Sequence, residues 1–434
     1  MIRRGTWIEI LRDFYEFEIP ELIQRDIKIE IDIPIKRVIS IIGPRRAGKT
    51  YFIFQTIKKL LEKGIPKERL LYVNLEDDRL LGVEIEDLRN MLNIFYEMYP
   101  ENKQKKVWVF LDEIQNVPNW EKFVRSILDK ENVQIFVTGS SSKLLAREIA
   151  TVLRGRCLPY NVFPFSFREF LKAKKFIYKD YFSSREKSKL LNLLDNYIKF
   201  GGYPEVVVYP KERKKMLKEI LEVTIYRDIV ERYKVKNMKI LRLLLKQLIF
   251  STLFSVHKFY NFLKSQGIKI GKNTLYNYLE YFSDSLVVFP LRKFSYSYKQ
   301  LQQSLPKIYF VDNGLLSVGG IESVSKLMEN AVFVELLKKG YIANENIFYY
   351  LSQVGEVDFV IKNGKVKKLI QVCYDVEDYS TKERELKALV RASRDLRCNN
   401  LVVLTWDYEG LKKYKGKKIK FLPLWKWILT NTPA

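Results

Sequence analysis

The feature that most restricts this chain is the octapeptide Gly43-Pro44-Arg45-Arg46-Ala47-Gly48-Lys49-Thr50. A β-branched run, residues 37–42, precedes it. A stretch from Lys49 to Lys63 follows, with Phe52, Ile53, Ile57, Leu60 and Leu61 on one helical face and Gly64 as its C-terminal cap. Strand, glycine-bearing turn and helix in this order suit an anion. The glycines let the backbone wrap around phosphates, and the turn's N–H groups gather at a helix N-terminus whose dipole favours negative charge. Gly43, Pro44, Arg45, Arg46, Ala47, Gly48, Lys49, Thr50 and Tyr51 are therefore the expected nucleotide-binding set. Lys49 is expected to reach the β- and γ-phosphates and Thr50 to ligate Mg2+.

A second segment, Val107-Trp-Val-Phe-Leu-Asp112-Glu113, reads as a buried strand ending in two carboxylates. Beside the phosphate loop, Asp112 would act at the metal and Glu113 would orient and polarise an attacking water, which favours hydrolysis over binding alone. Further apolar runs at 70–75 and 133–138 alternate with helical stretches near 85–98, 119–130 and 142–151, the pattern of a parallel α/β sheet. The 133–138 strand runs into Thr138-Gly139-Ser140-Ser141-Ser142, where a hydroxyl could sense the γ-phosphate or hold the water. Ser141 or Ser142 could instead cap the next helix. Arg154-Gly155-Arg156 is either a source of a transition-state guanidinium, in cis or to a neighbouring subunit, or a solvated basic turn.

At 434 residues the chain is long enough for two to four domains. An apolar fraction of 47% with 29% charged residues fits a packed globular protein. No run of ~18 uncharged apolar residues occurs, and the N-terminus lacks the look of a secretory signal, so no membrane span or export is expected. Cys157, Cys373 and Cys398 are too widely spaced for a disulfide framework or metal knuckle, and a reducing cytoplasm is the simplest location. The net charge of +25 favours polyanionic partners. Abundant Lys, Glu and Ile with little His resembles hyperthermophile composition, but Glu does not offset the Lys here.

From about residue 166 the pattern becomes mostly helical, over 166–173, 185–199 and 211–234, with a break at Gly201-Gly202-Tyr203-Pro204. Two more helices are expected in 238–265 and one from Gly271 to Phe282. Residues 286–290 and 294–298 alternate like a small hairpin. Beyond Pro306 come a helix near 326–339, strands near 347–351, 356–361 and 367–373, a helix at 380–394 and a strand at 400–405. The lysine-rich stretch from Lys412 to Lys420 reads as a solvated turn.

Taken with Leu111-Asp112-Glu113-Ile114-Gln115, Leu153-Arg154-Gly155-Arg156, Pro164 to Phe170, Gly201 to Glu205 and Tyr226 to Ile229, the phosphate loop resembles those of prokaryotic AAA-type ATPases. The likeness is to an archaeal and bacterial group carrying a winged helix and a degenerate restriction-endonuclease-like fold, and it extends over nearly the whole chain. It implies an α/β fold with a parallel sheet ordered 5-1-4-3-2 and a P-loop ATPase core over 1–165. A helical lid over 166–236, a winged helix over 237–304 and an endonuclease-like α/β domain over 305–434 would follow. It also offers Arg156 as an arginine finger and brings a homo-oligomeric ring into consideration beside a monomeric switch.

Residues 236–300 hold 11 Lys/Arg and 2 Asp/Glu, a net of +9, so over a third of the excess charge lies in this segment. A winged-helix reading puts Lys272, Asn273 and Tyr276 in a DNA groove and Arg292 and Lys293 on a wing near phosphates. In the last segment Glu335, Asp358, Gln371 and Cys373 follow the endonuclease-like layout of helix Glu, strand Asp and Glu-x-Lys. Gln371 and Cys373 replace the second carboxylate and the lysine, so the centre is expected to be inert. The expected function is Mg2+-dependent ATP binding and hydrolysis coupled to DNA binding or remodelling, with ATP/ADP and DNA as partners. A nucleotide-gated switch acting on proteins, and an ATP-gated nuclease, are the alternatives.

Overall fold

A computed structural model describes residues 1–139, 155–179, 181–375 and 379–430. The expected helix near 142–151 and the proposed roles of Ser140, Ser141, Ser142 and Arg154 lie outside them. The chain divides into two compact units, Met1–Phe163 and Pro164–Ala434.

The first unit runs α1 (Arg4–Glu16), β1 (Val38–Ile42), α2 (Lys49–Glu62), β2 (Leu70–Asn74), α3 (Ile85–Met98), β3 (Val107–Asp112), α4 (Trp120–Lys130), β4 (Val133–Gly139) and β5 (Cys157–Asn161). All strand pairings are parallel, in the order β2-β3-β4-β1-β5, which is the expected order read from the other edge. The continuous apolar runs follow from burial on both faces. Val107, Val109 and Leu111 of β3 face α1, α3 and α4 through Trp7, Met91 and Phe123. Trp108 and Phe110 face the opposite way, toward Phe52, Ile53 and Ile57 of α2. β1, β3 and β4 are buried along their whole length and the edge strand β5 only in part, and in such a sheet a ligand site forms at the carboxyl ends.

The second unit begins with α5 (Phe167–Ala173), α6 (Ser184–Phe200), α7 (Pro204–Val208) and α8 (Arg213–Val223), which continues as a wider π-helical stretch over Thr224–Glu231. Two of the family-like motifs have structural reasons here. Ser166 and Glu169 form a reciprocal capping box that starts α5. Gly201 and Gly202 pack on Asp312: the Gly202 amide donates to Asp312 Oδ2 at 2.7 Å. A Cβ on Gly201, at φ +74°, would lie 1.7 Å from Asp312 Oδ1.

Next come α9 (Met238–Phe250), α10 (Val256–Ser265), α11 (Lys272–Asp284), β6 (Val288–Leu291), α12 (Tyr298–Gln303), β7 (Lys307–Phe310), α13 (Asn313–Val318) and α14 (Val324–Lys338). The expected hairpin between 286–290 and 294–298 does not form; β6 pairs antiparallel with β7. Phe294 instead donates its amide to the Tyr349 carbonyl at 2.6 Å and buries its ring against Phe348. The alternation at 294–298 thus reflects burial of Phe294 in the C-terminal core rather than pairing with its neighbour in sequence.

The remaining elements are β8 (Ile347–Leu351), β9 (Glu356–Asn363), β10 (Lys365–Cys373), α15 (Tyr379–Asp395), β11 (Leu401–Thr405), β12 (Gly410–Tyr414), β13 (Lys417–Pro423) and α16 (Leu424–Leu429). Six strands form a mixed sheet ordered β12-β13-β11-β10-β9-β8. The lysine-rich stretch is therefore a hairpin and not a solvated turn. Ile419 and Phe421 point inward between outward lysines, and the turn is only Lys415-Gly416, both at positive φ.

Candidate functional site

The sequence places Thr50 and Asp112 sixty-two residues apart, and the parallel sheet brings them together. β1 and β3 both end at the same edge, with β4 between them. Thr50 Oγ1 donates to Asp112 Oδ2 at 2.7 Å. Lys49 is buried, and its Nζ lies 3.6 Å from Glu113 Oε1 and 3.4 Å from the Pro44 carbonyl. Gly48 caps α2 with φ +93°, a left-handed conformation that suits glycine. Arg46 also has positive φ in the loop, and Arg45 pairs with Glu76 at 3.6 Å. Tyr51 is exposed on α2.

Thr138, a candidate catalytic residue from the sequence, ends β4 beside these groups, with partners that sequence reasoning did not foresee. It is fully buried, donates to Asp112 Oδ1, and its hydroxyl accepts the Glu113 amide at 2.9 Å. Thr138 thereby holds both carboxylate-bearing residues. Glu113 itself has φ +52°, a strained conformation for a residue with a Cβ, kept by this neighbourhood. Burial pushes the Asp112 carboxyl above its usual range, against the hydrogen bonds from Thr138 and Thr50 that lower it. Burial also acts on Glu113, but the Lys49 ammonium, the Gln115 amide and the Arg45 charge outweigh it and hold that carboxyl below the usual range. Glu113 is therefore the firmly ionised member of the pair.

Arg25 was not singled out in the sequence. Its guanidinium is buried, donates to the Ala47 carbonyl at 2.9 Å and to the Phe163 carbonyl, and its amide donates to Gln55 Oε1 of α2 at 2.8 Å. Gly43 is packed just as closely: a Cβ there would lie 2.1 Å from the Val162 carbonyl oxygen.

Arg156 is not brought to this site. It precedes β5, whose Cys157 is level with Val38 at the start of β1, whereas the phosphate loop leaves β1 after Ile42. Four residues of strand separate the two ends, about 13 Å. The Arg156 side chain pairs with Asp129 of α4.

In the second unit Lys272, Asn273 and Tyr276 share the exposed face of α11, whose other face buries Leu275, Tyr278 and Phe282. Arg292 and Lys293 lie on the segment leading to Phe294. The Arg292 amide donates to Asn344 Oδ1 at 2.7 Å, its side chain to Gln302, and the Lys293 amide to Ser304 Oγ at 3.2 Å.

Asp358 and Gln371 are adjacent on β9 and β10. The Asp358 amide donates to Gln371 Oε1 at 3.3 Å, and Asp358 Oδ2 accepts the Val372 amide at 2.9 Å. Cys373 is buried two residues on and donates its thiol to the Asp375 carbonyl at 3.1 Å. Glu335 does not join them; it is buried against Tyr197, whose hydroxyl donates at 2.9 Å, and Lys338. The α14 carboxylate that faces Asp358 is Glu329, through Lys307 of β7. Burial and then the charge of Glu329 push the Asp358 carboxyl up. Burial acts against the Lys307 ammonium, but the surrounding acidic groups Asp358, Glu329 and Glu356 prevail, so the lysine keeps its proton.

A five-stranded parallel sheet with a phosphate loop after its first strand and paired carboxylates after its third defines an AAA-type nucleotide-binding fold, and residues 35–171 match the AAA domain family. Residues 191–323 and 324–427 match two domains of unknown function, DUF8612 and DUF4143. The chain belongs to the family of the uncharacterized protein MJ1544 of Methanocaldococcus jannaschii. The two are 42% identical over 421 residues, covering 94% of this chain and 92% of the relative. An uncharacterized protein of Haemophilus influenzae is 30% identical over 80% of this chain and 84% of its own length. Among solved structures, the Walker-type ATPase PABY2304 of Pyrococcus abyssi is similar at 14% identity and a TM-score of 0.44, covering 74% of this chain and 96% of that one. Among the described residues, no helix is long and apolar enough to cross a membrane.

Proposed function

We propose that the first unit binds ATP with Mg2+ and hydrolyses it, and that the second unit couples this cycle to DNA. The observation that carries the reading is the meeting of Thr50, Asp112, Lys49 and Glu113 at one sheet edge, with 2.7 Å between the first two and 3.6 Å between the last two. The loop amides before Lys49 would bind the phosphates, and Lys49 would neutralise the terminal one. The Thr50 hydroxyl and Asp112 carboxylate, oxygen donors side by side, fit Mg2+, which would screen phosphate charge when bound. Glu113, kept ionised, would accept a hydrogen bond from the attacking water and orient it toward the γ-phosphate. Thr138 would fix the Asp112–Glu113 peptide against movement.

The test is nucleotide binding and turnover by the purified chain. Lys49→Ala should lose retained ATP. Glu113→Gln should bind ATP but turn over at least about 100-fold more slowly. Normal turnover in Glu113→Gln would remove the water-orienting role, and failure of the wild-type chain to bind nucleotide would end the whole reading.

The DNA part rests on the net charge of +9 in residues 236–300 and on the exposed Lys272-Asn273-Tyr276 face of α11. On this reading 166–236 is a lid, 237–304 a winged helix and 305–434 an endonuclease-like domain. ATPase rates measured with and without duplex DNA, across salt, separate this from a switch acting on protein partners, for which turnover would be indifferent to DNA.

A further inference from the structure

In the second unit a cavity of about 510 Å3 opens beside Lys307, Glu329, Glu356, Asp358 and Gln371. Lys307 is 1% exposed, so its ammonium has left water. Its Nζ lies 2.5 Å from Glu356 Oε1, 2.8 Å from Glu329 Oε1 and 3.1 Å from Asp358 Oδ1. The three carboxylates come from two directions. Glu356 and Asp358 are two apart on β9 and so share a face of the sheet, while Glu329 projects from α14. An ammonium has three N–H donors, and here each has its own carboxylate. The neighbouring groups are committed as well. Asp358 Oδ2 accepts the Val372 amide at 2.9 Å. Glu329 accepts the Tyr309 hydroxyl at 2.7 Å, and the Gln371 amide donates to Glu385.

We propose that Lys307 is the resident cation of this centre: its ammonium fills the place between Glu329, Glu356 and Asp358 that a divalent metal would take. The spacing supports this. Nitrogen–oxygen distances of 2.5–3.1 Å fit an ammonium, whereas Mg2+ draws oxygens to about 2.0–2.1 Å. The position of the ammonium supports it too. It sits where Glu329, Glu356 and Asp358 converge, so a second cation has no point facing all three, whereas without the lysine they would form an anionic, oxygen-rich pocket. The inference is independent of the nucleotide reading.

The experiment uses the full chain, without nucleotide, and Mn2+ as the probe, followed by calorimetry and by the paramagnetic signal of the ion. Wild type should show no Mn2+ site sensitive to Asp358→Asn. Lys307→Met should gain one, at least about tenfold tighter than any wild-type binding. At ~100 times its Kd, Mn2+ should raise the melting temperature of that variant by about 5 °C and leave wild type unmoved. If Lys307→Met does not fold in EDTA, refolding in Mn2+ should recover it. The variant Lys307→Met with Glu329→Gln and Asp358→Asn should fold without metal and not bind it. A wild-type Mn2+ site lost in Asp358→Asn would overturn the proposal. So would a Lys307→Met chain that neither gains Mn2+ nor is rescued by it.

Discussion

The Thr138 hydroxyl accepts the backbone amide of Glu113 at 2.9 Å, across the gap between the ends of two neighbouring strands. The same hydroxyl donates to Asp112, so one threonine holds the Asp112 carboxylate and the Glu113 backbone. Thr138→Val keeps the shape and removes the oxygen. The Glu113 amide then loses its acceptor, at a cost of about 1–3 kcal/mol. Glu113, already at φ +52°, is then free to relax. ATP turnover should fall by about 10- to 100-fold with ATP affinity little changed. Single-turnover hydrolysis and nucleotide titration on the same variant check this; an unchanged rate would leave Thr138 a packing residue.

Arg25 joins the phosphate loop at Ala47 to the carbonyl of Phe163, where the first unit ends. Arg25→Met removes both donors from buried carbonyls. A loss of about 2–4 kcal/mol in unfolding free energy is expected, together with weaker nucleotide binding, because the Ala47 peptide loses its restraint. Denaturant unfolding of the first unit and nucleotide titration measure the two effects.

Gly201→Ala should be among the more damaging single changes in the second unit. Its Cβ would lie 1.7 Å from the Asp312 carboxylate on a backbone at φ +74°. A loss above about 3 kcal/mol is expected, read as a lower denaturant midpoint.

The same carboxylate predicts a pH dependence. Burial raises the pKa of Asp312 to about 6 against the hydrogen bonds from the Gly202 and Gly314 amides. The folded chain therefore holds a proton that the unfolded chain releases near the usual value of 3.8. This group's contribution to stability is fully present below that usual value and is lost as pH rises through about 6. The change is about 3 kcal/mol. Unfolding midpoints across that range should show it, and Asp312→Asn should flatten the slope.

If α11 lies on DNA, Lys272→Glu should weaken binding to all sequences alike and reduce the slope of log affinity against log salt by about 1 to 2. Equilibrium binding across a salt series decides it; an unchanged slope would move the contact elsewhere.

The nucleotide half of the candidate site was legible because its signals are local. Gly43 to Thr50 and Leu111 to Glu113 each leave a strand whose both faces are apolar, and a parallel sheet must bring such ends to one edge. Arg25 was not legible. It lies in a stretch without periodicity, and its partners are backbone carbonyls, which leave no mark in sequence. Glu335 was singled out and Glu329 was not, because most of α14 from Leu327 to Leu337 is buried and no polar stripe tells which glutamate faces which neighbour. The hairpin at Lys412 to Lys420 was hidden by its outward lysines, which mask the alternation of Ile419 and Phe421.

Gly43 also bears on how a phosphate loop is dissected. The space that its missing side chain leaves is taken by the Val162 carbonyl, on the chain that leaves β5. Putting an alanine there would push apart two neighbouring peptides before any nucleotide arrived. A loss of activity in such a variant would therefore report a displaced β5 exit as much as a spoiled anion cradle, and Lys49 is the cleaner place to cut.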